Sequence, residues 1–202
     1  MSEFPLRSDA LLLLAMCPAL AVSDTVVNAV GLGLTALVFG PLTAVTFGAL
    51  RSRLTPQTSI AGLLLLSSGA VASVELLMRA YSPILYTNIW PFVALFSVNF
   101  ALLDALMAER STAKSTRAVL RLCAILALAL LLLGIARELV GRGSILHGAG
   151  AAFGDWAQAL ETKVFAVDMG FLLGMLPPGA FIALALLIAA LNWLKRAHSA
   201  ST

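Results

Sequence analysis

The fold class that this sequence predicts is an all-α integral membrane protein. It should hold six transmembrane segments as two inverted three-helix repeats, with an interrupted half-helix at the head of each repeat. Three observations predict it. Of 202 residues, 60% are hydrophobic and 11% charged, with a mean hydropathy of +0.98. Six apolar runs can be counted along the chain. The runs that open the two halves are short or interrupted, whereas those that follow them are fuller.

Composition excludes a soluble domain, which carries about a quarter charged residues and could not cover its surface with fewer than half that share. The net charge of +3 and pI near 9.2 do not mark a nucleic-acid face. The basic residues are scattered among loops, where they act as orientation signals. Cys17 and Cys123 stand too far apart in sequence to suggest a disulfide framework. No removable signal peptide is expected, because the first run lacks a small-residue cleavage site and further spans follow.

The elements follow in order. Residues 10–22 (ALLLLAMCPALAV) form a short run interrupted by Pro18, and residues 25–50 form a long one rich in Gly and Thr. Residues 58–78 follow Arg51, Arg53 and Pro56; residues 90–108 open at Trp90-Pro91 and contain Asn99 and Asp104. Residues 118–136 are the cleanest span, and residues 170–194 run from GFLLGMLPPGAF to Trp193. A helix needs about 20 apolar residues to cross the hydrocarbon, so the first run cannot cross as a simple helix. The fourth is expected to be broken at Pro91. The stretch 137–169 is the longest loop, and no soluble domain is left over: residues 1–202 read as one transmembrane domain, with pseudo-repeats at about 9–80 and 88–196.

With six crossings, Arg7, Arg51, Arg53, Arg110, Lys114, Arg117, Arg121, Lys195 and Arg196 fall on one side, nine in all. Arg79, Arg137, Arg142 and Lys163, four, fall on the other. The excess belongs in the cytoplasm, so both termini are expected there. Tyr81, Tyr86, Trp90, Trp156 and Trp193 sit near span ends, as an aromatic belt requires. In DWAQALETKVF, residues Trp156, Leu160, Val164 and Phe165 share helical spacing; a short helix on the outer membrane face and an ordinary packed loop both fit. Three crossings per half is an odd number, so the second half would be inverted, and broken helices in corresponding places are the signature of such repeats. The backbone groups they free are tolerable only where protein or a cavity covers them.

Three stretches carry a resemblance: LLAMCPALAVSDTVVNAVGLGL (13–34), RELVGRGSIL (137–146) and FLLGMLPPGAFI (171–182). They resemble the RnfE (RsxE) family of membrane subunits of the Rnf ion-translocating electron-transport complex, whose relatives RnfA, NqrD and NqrE share the general plan. The resemblance implies a bacterial inner-membrane, multi-pass subunit that has no activity of its own. It implies pairing with an inverted RnfA-like twin, within an assembly containing RnfD, RnfG and the cytoplasmic RnfB and RnfC types. Cysteines on the half-helices of the two twins would hold a [2Fe–2S] cluster in the membrane, with FMN on other subunits only. The complex would couple electron flow between ferredoxin and NAD to Na⁺ or H⁺ movement.

Read alone, Cys17 is a buried apolar thiol; the resemblance makes it a cluster ligand, on a half-helix expected to end at Pro18. A [2Fe–2S] centre takes four thiolates, two from each twin. The family's second cysteine closes a Thr-Asn-Cys stretch, which here reads Val98-Asn99-Phe100, and Phe100 cannot ligate iron. Cys123 matches no family cysteine, and the sequence leaves open an incomplete ligand set, an unusual ligand, a rescue by Cys123 and a subunit whose electron path differs.

Other residues carry less. Glu75 precedes Arg79 by four, a stabilising helical pair, and Asp104 lies near Glu109-Arg110. Both read as interfacial, although an ion path is the alternative. Asn28 and Asn99 would bond freed backbone or a neighbouring helix. Pro177-Pro178-Gly179 shapes a helix entrance. Gly31-x-Gly33 lacks the preceding strand of a dinucleotide site, and His147 lacks partner ligands for a metal. Two other function classes stay open: a secondary transporter, since inverted repeats with broken helices mark that class, and a structural membrane scaffold.

Overall fold

The computed structural model describes residues 19–101 and 112–164, and further on residues 174, 176, 178–186, 189 and 193. Residues 19–22 are helical, and a turn at 23–25 leads into helix α1, Val26–Leu50. A 3-10 turn at Arg51–Arg53 precedes α2, Pro56–Tyr81, and Ser82 alone separates it from α3, Pro83–Ala101. Helix α4 covers Thr112–Arg142. A short strand pair, β1 (Ser144–Ile145) with β2 (Thr162–Lys163), then encloses the small helices α5 (Ala149–Phe153) and α6 (Asp155–Gln158). Residues 178–186 are helical again.

Three of these helices are long and apolar enough to cross a membrane: Val26–Arg53, Thr58–Tyr81 and Ala113–Arg142. A shorter apolar helix covers Pro83–Leu95. Many large side chains along them, Leu65, Leu76, Leu128 and Val38 among them, are exposed, as lipid-facing positions are. The start of the first run, the end of the fourth and most of the sixth lie outside the described residues, and with them the six-crossing count and the inverted repeat.

Local chemistry explains the boundaries. Thr25 caps α1: it is extended (φ −126°, ψ 154°), and its Oγ1 accepts from Asn28 N at 3.2 Å. The threonines of α1 cost little in an apolar setting, because Thr35, Thr43 and Thr46 each donate to the carbonyl four residues back. Pro56 opens α2 at a position where its missing N–H is not needed, and Thr58 Oγ1 accepts from Thr55 N.

One expected break does not form, and one that was not expected does. Helix α3 runs straight through Pro91. Leu85, Ile89 and Val93 form one buried stripe on both sides of the proline, and the packing of that stripe on α1 outweighs one lost hydrogen bond. In the first run Pro18 lies outside the described residues; residues 19–22 are helical, and a break follows at Ser23-Asp24-Thr25. These three short polar side chains compete with helical bonding, and Ser23 Oγ donates to the Leu20 carbonyl.

Helices α1 and α4 make the central seam. Buried residues recur on α1 at Ala29, Gly33, Ala36, Gly40, Thr43 and Phe47, and on α4 at Val119, Cys123, Leu126, Leu130, Leu133 and Arg137. Both rows step by four and three, the spacing of coiled-coil seams. The helices are antiparallel, since Gly33 faces Ala127 and Ala29 faces Gly134. Small residues on α1 let it approach closely, as helices in lipid do. A Cβ at Gly33 would lie 3.1 Å from Ala127 Cβ, and one at Gly134 only 2.9 Å from Ala29 Cβ.

The stretch 137–169 is more than a loop. Arg137 to Arg142 continue α4, because the chain stays apolar enough to pack until Gly143 ends the helix at φ +64°. The surface helix over 155–165 is not formed. Only Asp155–Gln158 is helical, and Thr162–Lys163 pair with β1, where the Val164 amide is drawn to the Gly143 carbonyl. Trp156 nevertheless stays 70% exposed; Phe165 lies outside the described residues.

Candidate functional site

A broken helix has two problems: carbonyls left over at the end of the first piece and amides left over at the start of the second. Here the adjacent residues Arg137 and Glu138 of α4 answer both. Their side chains are almost wholly buried, at 2% and 0% exposure.

Arg137 gathers carbonyls. Nη1 donates to Leu20 O at 2.8 Å and to Ser23 Oγ at 3.3 Å, at the end of the helical residues 19–22. Nε donates to Gly174 O at 2.9 Å and Nη2 to Leu176 O at 3.3 Å, in the stretch leading into the helix at 178–186. One guanidinium thus ties the end of residues 19–22 to the chain just before the helix at 178–186. Its charge also feels that of Asp24, in the break itself.

Glu138 gathers amides. Oε2 accepts from Val26 N at 2.7 Å, the first residue of α1. Oε1 accepts from His147 N at 2.7 Å and from Ser144 Oγ at 3.4 Å. The carboxylate therefore sits on the positive end of the α1 dipole, and the guanidinium on a carbonyl end. The turn that delivers the His147 amide is bent at Leu146, which has φ +62°. A leucine in the left-handed region is strained, and the Glu138 bond holds it there.

Beside this clamp lies a cavity of about 480 Å³, lined among others by Asp24, Asn28, Asn88, Phe92, Arg142 and His147. Asn28 Nδ2 donates to Asp24 Oδ1 at 2.9 Å.

The residues singled out from sequence fare differently. Cys17 and Asp104 lie outside the described residues. Asn99 and Phe100 fall in the last turn of α3. Cys123 is 3% exposed within the α1–α4 seam, where it fills the place of a small apolar residue. Among the described residues the Asn28 side chain bonds Asp24, one turn back, in place of the expected freed backbone or neighbouring helix. Arg79 stacks over the Tyr86 ring at 4.6 Å and donates to its hydroxyl, in place of the expected pairing with Glu75. Ser82 is the only residue between α2 and α3, so Tyr86 is brought directly against Arg79. Gly31 and Gly33 are helical packing positions. Pro178 and Gly179 do open a helix, with Gly179 N donating to Leu176 O. His147 serves through its backbone amide, and among the described residues no three His, Cys, Asp or Glu side chains could hold a metal ion.

Sequence reasoning missed the clamp as chemistry. Its signal was two adjacent opposite charges, Arg137-Glu138, flanked by Ile135-Ala136 and Leu139-Val140. In a membrane protein such a pair is either at an interface or holding something.

The fold and the clamp define a helical, multi-span membrane protein organised around an interrupted helix. A family model described as "Rnf-Nqr subunit, membrane protein" matches residues 9–188, and the chain belongs to that family. A protein of Shewanella loihica is 36% identical over 187 residues, covering 91% of this chain and 81% of its own. Relatives from Citrobacter koseri and Vibrio parahaemolyticus are each 37% identical, over 88% and 89% of this chain and 78% and 80% of their own. All three are named as the E component of an ion-translocating oxidoreductase complex.

Proposed function

We propose that this chain is the E-type membrane component of an ion-translocating ferredoxin:NAD oxidoreductase complex of the Rnf type. In it the chain pairs with an RnfA-like twin and helps carry electrons across the inner membrane, coupled to Na⁺ or H⁺ movement. The observation that carries this is the near end-to-end similarity to E-type components. The clamp supports it, since Arg137 grips the carbonyl of Leu20, three residues after Cys17.

The family's cluster fits this chain poorly. Position 100 is phenylalanine, and Cys123 is sealed in the helix seam. The usual share of two thiolates is therefore not present, and no electron step is assigned to a cluster. Our reading leaves Cys17 as the single ligand that this chain offers to an iron–sulfur site shared with its twin.

The test is purification through a tag on this chain from native membranes. The expected result is co-purification of several membrane subunits with flavin and iron. Cys17→Ser should lower the iron content and the EPR signal. A tagged chain that purifies alone, as a monodisperse monomer that binds a solute, would overturn the assignment in favour of a transporter.

A further inference from the structure

The 480 Å³ cavity beside the clamp has a lining that no electron-transfer role uses. We propose that it binds the headgroup of a zwitterionic aminophospholipid, with the phosphate against Arg142 and the ammonium against Asp24.

Charge comes first. Arg142 and Asp24 line the same cavity from different elements, yet no ion pair joins them among the described residues. Arg142 and the His147 ring have no hydrogen-bond partner among those residues; Asp24 accepts from Asn28 through Oδ1 and feels the Arg137 charge, and its Oδ2 has no hydrogen bond among them. A cavity lined by groups of both signs suits a simple ion of either sign poorly. A metal cation would meet Arg142 and the positive end of α1; an inorganic anion would meet Asp24. A molecule with both charges a few bonds apart satisfies the two together. Asn88 and His147 add polar atoms on the open side.

Depth and shape come second. Arg142 is the last residue of the apolar span Ala113–Arg142, and Ile84, Leu85 and Asn88 belong to the first turns of α3. The cavity therefore stands where spans end, the level of lipid headgroups. Its remaining wall is apolar, with Val22, Leu85 and Phe92, and suits the first methylenes of acyl chains. Its volume falls within the roughly 300–1,000 Å³ of small-molecule sites, enough for a headgroup but not for a whole lipid.

The experiment uses the intact complex in mild detergent. Lipid retained after purification is measured by mass spectrometry, and thermal protection is measured on adding phosphatidylethanolamine, phosphatidylglycerol or free phosphoethanolamine. Phosphatidylethanolamine should be retained and protective, and phosphatidylglycerol, which has no ammonium, should not replace it. Arg142→Gln and Asp24→Asn should each weaken retention at least tenfold. Arg142 and Asn88 are exposed, so Arg142→Gln and Asn88→Ala keep the test open if Asp24→Asn, which also removes a charge near Arg137, fails to assemble. Unchanged retention in Arg142→Gln would overturn the proposal. So would equal protection by phosphatidylglycerol, or by free phosphoethanolamine, which would point to a soluble zwitterion instead.

Discussion

Replacing Glu138 by glutamine keeps the side chain's size and shape, and so isolates what its charge and its two acceptors do. Oε2 takes the Val26 amide and Oε1 the His147 amide, each at 2.7 Å. Glutamine has one acceptor oxygen, so its NH₂ must face one of these two N–H groups, donor against donor. Losing a bond to a charged acceptor costs about 1.5–3 kcal/mol, and leaving a buried donor unsatisfied costs about 1–3 kcal/mol more. The sum is about 2.5–6 kcal/mol, which brackets the roughly 3–5 kcal/mol for breaking a buried charged contact. Against a total stability of about 5–15 kcal/mol, that should lower the thermal midpoint of the detergent-solubilised complex and its yield. The assay is heating followed by size-exclusion chromatography with a fluorescent tag on this chain. Glu161→Gln is the control: Glu161 also accepts from a backbone amide, Gly150 N, but is exposed, and should change little. A Glu138→Gln complex as stable as the parent would refute the reasoning, for it would mean that the carboxylate does not hold the head of α1.

Other expectations follow from the same contacts. Gly134→Ala should destabilise by about 1–3 kcal/mol, the cost of overpacking, read by the same heating assay. Cys123→Ser should leave iron content and electron transfer unchanged, because its thiol belongs to the seam. Phe100→Cys should raise the iron held per complex if Cys17 is a ligand, while a truncated phenylalanine that was well packed would cost about 3–5 kcal/mol and reduce assembly. A reporter fused at residue 150 should register outside the cytoplasm, since it stands with the four-residue side of the Lys and Arg partition.

Much of the fold was legible because lipid makes composition and run length informative. The long runs at 25–50, 58–78 and 118–136 became α1, α2 and the middle of α4 within a few residues. What failed was reading Pro91 as a break. Pro91 stayed inside a helix, while the break that did form lay at Ser23-Asp24-Thr25, where side chains compete with the backbone and an external partner absorbs the freed groups. A sequence shows the competing side chains but not the partner, which lies more than a hundred positions away. For the same reason Arg137 and Glu138 were legible as a family match and illegible as a clamp. Nothing local says that two charges at the end of an apolar run turn inward.

The seam and the clamp depend on each other. Arginine and glutamate side chains are short compared with the width of two packed helices, so Glu138 reaches the Val26 amide only if α1 lies close against α4. The closeness comes from Ala29, Gly33 and Ala36, which put little between the two backbones, and from Gly134, where the backbone oxygen of Thr25 would lie 3.1 Å from any added Cβ. Thr25 is also the cap of α1 and the neighbour of Val26. Anything that thickens the seam at Gly134 therefore pushes on the residue next to the Glu138 bond. In a soluble protein water could rescue the exposed amide. Here Val26 is buried among packed helices, so an amide that loses Glu138 is left unsatisfied at a cost. Small residues one turn away are thus part of what permits a helix to be interrupted here at all.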